Sequence, residues 1–118
     1  LLGLAFKPQT DDLRDAPARD IAQRLLERDC RVRGHDPVAI ERARAEWPDL
    51  GIVLCESLAQ ALEGADAAVL VTDWPEYRDA DWEQLAGAMR TPILLDGRHF
   101  LDGGRMTRAG FRYLRLSG

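Results

Sequence analysis

The sequence predicts an α/β fold of three layers: a mainly parallel, doubly wound sheet with helices on both faces. Three observations carry that prediction. Short apolar runs alternate along the chain with segments of helical periodicity, the pattern left by repeated strand-helix units. Residues 67–71 are apolar throughout, as a strand covered on both faces is. The chain has 118 residues, 46% of them hydrophobic, enough for one core, so residues 1–118 are expected to form a single domain.

The elements follow in order. Residues 1–6 form a short apolar run, read as a buried strand, and the polar stretch 7–12 with its proline reads as a loop. Asp15 is the expected cap of a helix of about fourteen residues, with Pro17 tolerated in the first turn because its missing N–H would be unpaired there anyway. Ile21, Ala22, Leu25 and Leu26 share the apolar face of that helix. Residues 31–35 read as a second strand ending at Asp36-Pro37, and 38–47 as a second helix that Pro48 terminates. Residues 52–54 form a brief third strand. Ser57 is the expected N-cap of a helix over Leu58–Leu62, Gly64 closes it, and 67–71 is the central strand. A helix over 81–89, a buried strand over 93–95 and a half-exposed edge strand over 111–116 complete the pattern.

Composition narrows the function. Sixteen Lys and Arg against 20 Asp and Glu give a formal charge of -4, which excludes a broad basic footprint for nucleic acid and makes any anion site local. Cys30 and Cys55 sit in no metal-ligand or CxxC spacing, so both read as buried or idle thiols, with no metal expected. No apolar run approaches the ~18 residues a membrane-spanning helix needs, and no signal-peptide pattern opens the chain. A cytoplasmic protein with no membrane partner is expected. The chain starts at Leu1 in what reads as the middle of a strand, the mark of a piece of a longer protein.

In doubly wound sheets, ligands bind beyond the carboxyl ends of the strands. Three polar clusters follow the three most apolar strands: the stretch from Lys7 to Arg14, then Thr72-Asp73-Trp74, then Asp96-Gly97-Arg98. A parallel sheet puts all three on one edge. Lys7 supplies a mobile ammonium and Arg14 a planar guanidinium that grips two phosphate oxygens, with a helix N-terminus adding oriented N–H groups. That chemistry suits a diphosphate; the alternative is solvated loop charge paired with Asp11, Asp12 and Asp15. Arg98 at the next strand end is a second clamp for phosphate or carboxylate, or else a surface arginine on a turn.

Other features argue for what is missing. Gly3 is the only glycine in the first turn, so the GxGxxG of a dinucleotide site is absent and independent NAD binding is not expected. Asp36 stands where a ribose-binding acid would, but without those glycines it reads as a strand-end or turn residue. Trp74, Tyr77 and Trp82 read as packing residues, and His99 as structural. No arrangement of nucleophile and base is recognisable, so no catalytic residue is assigned.

The run Gly3-Leu4-Ala5-Phe6-Lys7-Pro8-Gln9-Thr10-Asp11-Asp12-Leu13-Arg14-Asp15-Ala16-Pro17, followed by His35-Asp36-Pro37, Thr72-Asp73-Trp74 and Asp96-Gly97-Arg98, resembles the C-terminal domain of the UDP-glucose/GDP-mannose dehydrogenase family. The resemblance spans nearly the whole chain and implies a Rossmann-like fold. It implies a full-length enzyme that oxidises the C6 hydroxyl of a nucleotide sugar, UDP-glucose by default, to a carboxylate. Two NAD-dependent steps pass through a thioester on an upstream cysteine that neither Cys30 nor Cys55 matches. Phe6 and Lys7 match positions lining the nucleotide-sugar site, Arg98 the strand-end arginine that reaches the substrate, and Arg14 the arginine approaching the NAD pyrophosphate. The family commonly has asparagine where this chain has His99. The resemblance further implies partners within the same enzyme, an N-terminal NAD-binding domain and a central helix absent here, and homodimeric assembly of the whole. This chain alone is expected to bind but not turn over; the alternative is a structural, dimer-supporting module with no ligand of its own.

Overall fold

The structure, a computed structural model, describes residues 1–116. Its strands are β1 (Arg33–His35), β2 (Val53–Cys55), β3 (Ala68–Leu70), β4 (Ile93–Asp96) and β5 (Arg112–Arg115). Its α-helices are α1 (Pro17–Glu27), α2 (Ile40–Glu46), α3 (Leu58–Leu62), α4 (Trp82–Ala88) and α5 (Gly103–Arg108), with a 3₁₀ turn at Pro75–Tyr77. β1 pairs with β2, and β3 with β4 and β4 with β5, every pair parallel. Leu2 joins the two groups, bridging in parallel to His35 on one side and to Leu70 on the other.

The sheet therefore runs β2-β1-Leu2-β3-β4-β5. The chain steps outward one way from Leu2 to β2 and then crosses over to step outward the other way through β5, the double winding expected from the sequence. Right-handed crossovers put helices on opposite faces for opposite stepping directions; α3 packs against α4 and against β1 and β2.

Several boundaries differ from the sequence expectation. Of residues 1–6 only Leu2 bridges its neighbours, because Gly3 turns the chain at φ 93° and the Leu4 and Ala5 N–H groups donate to the Asp36 side chain instead of a ladder. Asp15 does not cap α1: it takes φ 55°, the N-cap is Ala16 without a side-chain bond, and the helix has 11 residues with Pro17 at its start. Ser57 does cap α3, accepting from the Gln60 N–H at 3.1 Å, and Asp81 caps α4. The helix α5 is absent from the sequence reading because Gly103 and Gly104 are poor helix formers; the Asp102 carboxylate, accepting from the Gly104 N–H at 3.1 Å, opens it.

The core gathers Leu2, Leu4, Leu70, Leu94 and Met106, none of them exposed, with Trp74, Tyr77 and Trp82 at 1% each, so the aromatic residues pack as expected. Cys55 is buried, Cys30 is exposed, and both are free thiols. Among the described residues no helix is long and apolar enough to cross a membrane.

Candidate functional site

All three polar clusters do reach one edge of the sheet. Residues 3–7 leave Leu2, Thr72-Asp73-Trp74 leaves β3 and Gly97-Arg98 leaves β4, and these neighbours are parallel. The strands preceding Lys7 and Arg98 lie two places apart, about 10 Å at strand spacing, within the span of two long cationic side chains.

The crevice where the strand order reverses, between Leu2 and β3, is filled by the chain itself. A Cβ on Gly3 would stand 2.4 Å from the Thr72 Cβ, so the two segments meet as closely as a glycine permits. The Thr72 hydroxyl donates to the Ala5 carbonyl at 2.7 Å. Beside them Asp36, 3% exposed, accepts five hydrogen bonds. Its Oδ2 takes the N–H groups of Leu4 at 2.8 Å and Ala5 at 3.0 Å and the Trp74 indole at 3.0 Å. Its Oδ1 takes those of Val38 and Ala39, both at 2.8 Å. With both oxygens engaged, Asp36 has no capacity left for a ribose hydroxyl, and the turn reading stands. This acid fixes the loop from which Phe6 and Lys7 project.

Phe6 is 48% exposed, an apolar ring in contact with water. Lys7 is exposed and, among the described residues, has no ion-pair partner. The loop closes behind it through the Phe6 N–H donating to the Asp12 carbonyl at 2.8 Å. Arg14 points out to solvent with its side chain 87% exposed, and Asp12 grips it through Nε at 3.0 Å and Nη2 at 2.8 Å. The solvated-pair alternative thus describes Arg14 but not Lys7. The Arg14 guanidinium holds the Asp12 carboxyl down at about 2.

Arg98 is anchored from below. Its N–H donates to Asp96 Oδ1 at 2.9 Å, while Asp96 Oδ2 accepts from the N–H groups of Phe100 and Leu101, both at 2.8 Å, and from the Tyr113 hydroxyl at 2.5 Å. Burial pushes the Asp96 carboxyl up, but the bonds from Leu101, Tyr113, Arg98 and Phe100 outweigh it and hold the group below its ordinary value. The Arg98 side chain reaches Asp73, Nη2 donating to Oδ1 at 3.4 Å. Sequence reasoning placed Asp73 in the right cluster but gave it no role; the only available signal was an acid one residue past a buried threonine at a strand end. His99, at φ 53°, makes its ring contact with the Leu116 carbonyl.

The edge is built from the loops that leave Leu2, β3 and β4. Cavities of about 510 and 760 Å³ lie elsewhere, the first between α1 and the stretch from Glu46 to Leu50, the second at the opposite, amino ends of the strands beside Leu1, Arg33 and Ala68.

A doubly wound α/β sheet with a lysine and an arginine beyond its carboxyl ends defines a domain of the Rossmann type. More particularly, the chain belongs to the UDP-glucose/GDP-mannose dehydrogenase family: the model of that family's UDP binding domain matches residues 1–103. UDP-glucose 6-dehydrogenase of Pseudomonas aeruginosa is 47% identical over 117 residues, an alignment covering 96% of this chain and 26% of that protein. Among solved structures, a UDP-glucose dehydrogenase from Pyrobaculum islandicum superposes with a TM-score of 0.75 at 34% identity, over 98% of this chain and 24% of that one. A UDP-D-ManNAc dehydrogenase from Pyrococcus horikoshii gives the same TM-score at 31% identity, with the same coverage. The chain thus spans about a quarter of the length of the relatives it matches.

Proposed function

We propose that this chain is the substrate-binding wall of an NAD-dependent nucleotide-sugar 6-dehydrogenase, one that converts UDP-glucose to UDP-glucuronate. The observation that carries the reading is the pair Lys7 and Arg98 flanking β3 on the carboxyl edge, in a domain of this family. Lys7, without an ion-pair partner among the described residues, supplies a point charge for one phosphate, and Arg98 supplies a fork for the other. Phe6 covers an apolar part of the nucleotide sugar. The chemistry of oxidation belongs to NAD and a cysteine held by the remainder of the enzyme; no residue of this chain is assigned a catalytic step.

NAD fits this chain only at its margin. The first turn lacks the glycine pattern of a dinucleotide site, and Arg14 keeps N–H groups beyond those engaged by Asp12, enough to reach a pyrophosphate held by a facing domain. The whole enzyme is read as cytoplasmic and homodimeric, with residues 1–118 as one domain facing an N-terminal NAD-binding domain across a central helix.

Calorimetry with UDP, GDP and UDP-glucose tests the reading on this chain, and Lys7→Ala and Arg98→Ala test it in the whole enzyme. Both substitutions are expected to raise the Michaelis constant for the nucleotide sugar by roughly ten-fold or more, the scale of a lost charged hydrogen bond. Unchanged turnover and Michaelis constant in both variants would sink the assignment. A second reading, a dimer-supporting module, draws on the exposed Val53 and Leu114 of the two edge strands and Leu116 just beyond β5; a tight dimer of this chain by sedimentation, without nucleotide-dependent stabilisation, would favour it.

A further inference from the structure

We propose that Asp73 is a positioning residue for the anion: its carboxylate aims the Arg98 guanidinium across the carboxyl edge of the sheet. The inference rests on the reading of Arg98 as a substrate contact and adds what holds that contact in place. Arg98 is fixed at its backbone by buried Asp96, but its side chain has four torsions and, among the described residues, one side-chain partner, Asp73. That partner is itself held. Thr72 and Trp74 on either side of it are each 1% exposed, bonded to the Ala5 carbonyl and to Asp36, so the Asp73 backbone has little latitude.

The pair is a poor device for stability. Its members are 41% and 34% exposed and meet at 3.4 Å, the geometry of surface ion pairs that contribute little to folding. It is a good device for aiming. One Nη2–H is engaged, which leaves Nε and Nη1 of the fork for phosphate oxygens, and a guanidinium already restricted loses less freedom on binding. The two cations thus differ in kind, Lys7 free to follow a ligand and Arg98 set in advance.

A carboxylate beside a phosphate site also repels it, and the two effects have opposite signs. Titrating UDP into the 118-residue chain by two-dimensional NMR, with Asp73→Ala, Arg98→Ala and the double variant, separates them. Aiming predicts that Asp73→Ala weakens UDP binding roughly three- to ten-fold, within the coupling range of contacting residues, and has no effect once Arg98 is alanine. Asp73→Asn, which keeps an acceptor oxygen in the same place, is expected to recover part of the loss at an unchanged melting temperature. Tighter or unchanged binding in Asp73→Ala, or an equal loss in the Arg98→Ala background, overturns the proposal while leaving Arg98 as a contact. Unchanged binding in Arg98→Ala, or no UDP binding by the unsubstituted chain at millimolar concentration, instead overturns the reading on which it rests.

Discussion

Replacing Asp36 by asparagine changes one oxygen into an NH₂ group and leaves the shape of the side chain alone. In the native chain, three donors converge on Oδ2 and two on Oδ1. Asparagine does least harm by keeping its oxygen under Leu4, Ala5 and Trp74 and turning its NH₂ toward the Val38 and Ala39 N–H groups, so the buried Ala39 donor loses its acceptor while that of exposed Val38 turns to water. At about 1–3 kcal/mol for a buried group left without a partner, Asp36→Asn should cost about 1–3 kcal/mol, a sizeable share of the roughly 5–15 kcal/mol that holds a domain folded. Alanine orphans all five donors and should not fold. Urea unfolding followed by the fluorescence of buried Trp74 and Trp82 measures the loss as a lower midpoint at unchanged slope. A loss under about 1 kcal/mol would refute the view that this acid ties the first loop to the second and third, since the stated cost of one orphaned donor already exceeds it.

Gly3→Ala combines a left-handed backbone with a Cβ 2.4 Å from Thr72, whereas Gly64 at φ 70° has open space around it; melts should show a loss of about 2–5 kcal/mol for the first and about 1–2 kcal/mol for Gly64→Ala. The Asp12 carboxyl should titrate near 2 by NMR in the intact chain and return to the ordinary range in Arg14→Ala. Because its folded value is depressed, any stability it lends is present at neutral pH and lost as pH falls from the ordinary carboxylate value toward 2. Burial holds the His35 imidazole below its ordinary 6.5, against the raising influence of Asp36 and Glu56. The unfolded chain therefore takes up that proton first, and stability should decline as pH falls below about 6.5; the urea midpoint of His35→Phe should vary less between pH 7.5 and 5.5.

Periodicity made the alternation of elements legible, and with it the shared edge where Lys7 and Arg98 stand, because strand direction follows from connection type alone. What stayed hidden depended on partners distant in sequence. Asp36 reads as a turn residue, which its bonds to Val38 and Ala39 make it, but nothing local reveals that donors at residues 4, 5 and 74 also converge on it. Residues 1–6 look like a full strand because buried loop and buried strand share an apolar composition; the φ of Gly3 decides between them. The Asp12 grip on Arg14 lay among the pairings weighed, yet spacing could not separate it from those with Asp11 or Asp15.

Leu2 also bears on the order in which the molecule assembles. The β3-β4-β5 group joins strands adjacent in the chain, and β1-β2 does likewise, so each can form early as a local unit. The bridge from Leu2 to Leu70 closes the longest loop in the sheet and comes late, as non-local pairings do. The seam between the two halves is therefore where folding finishes and where opening under mild denaturant should begin. Amide exchange at Val71, whose N–H donates across that seam to Leu2, is the clock that reads it.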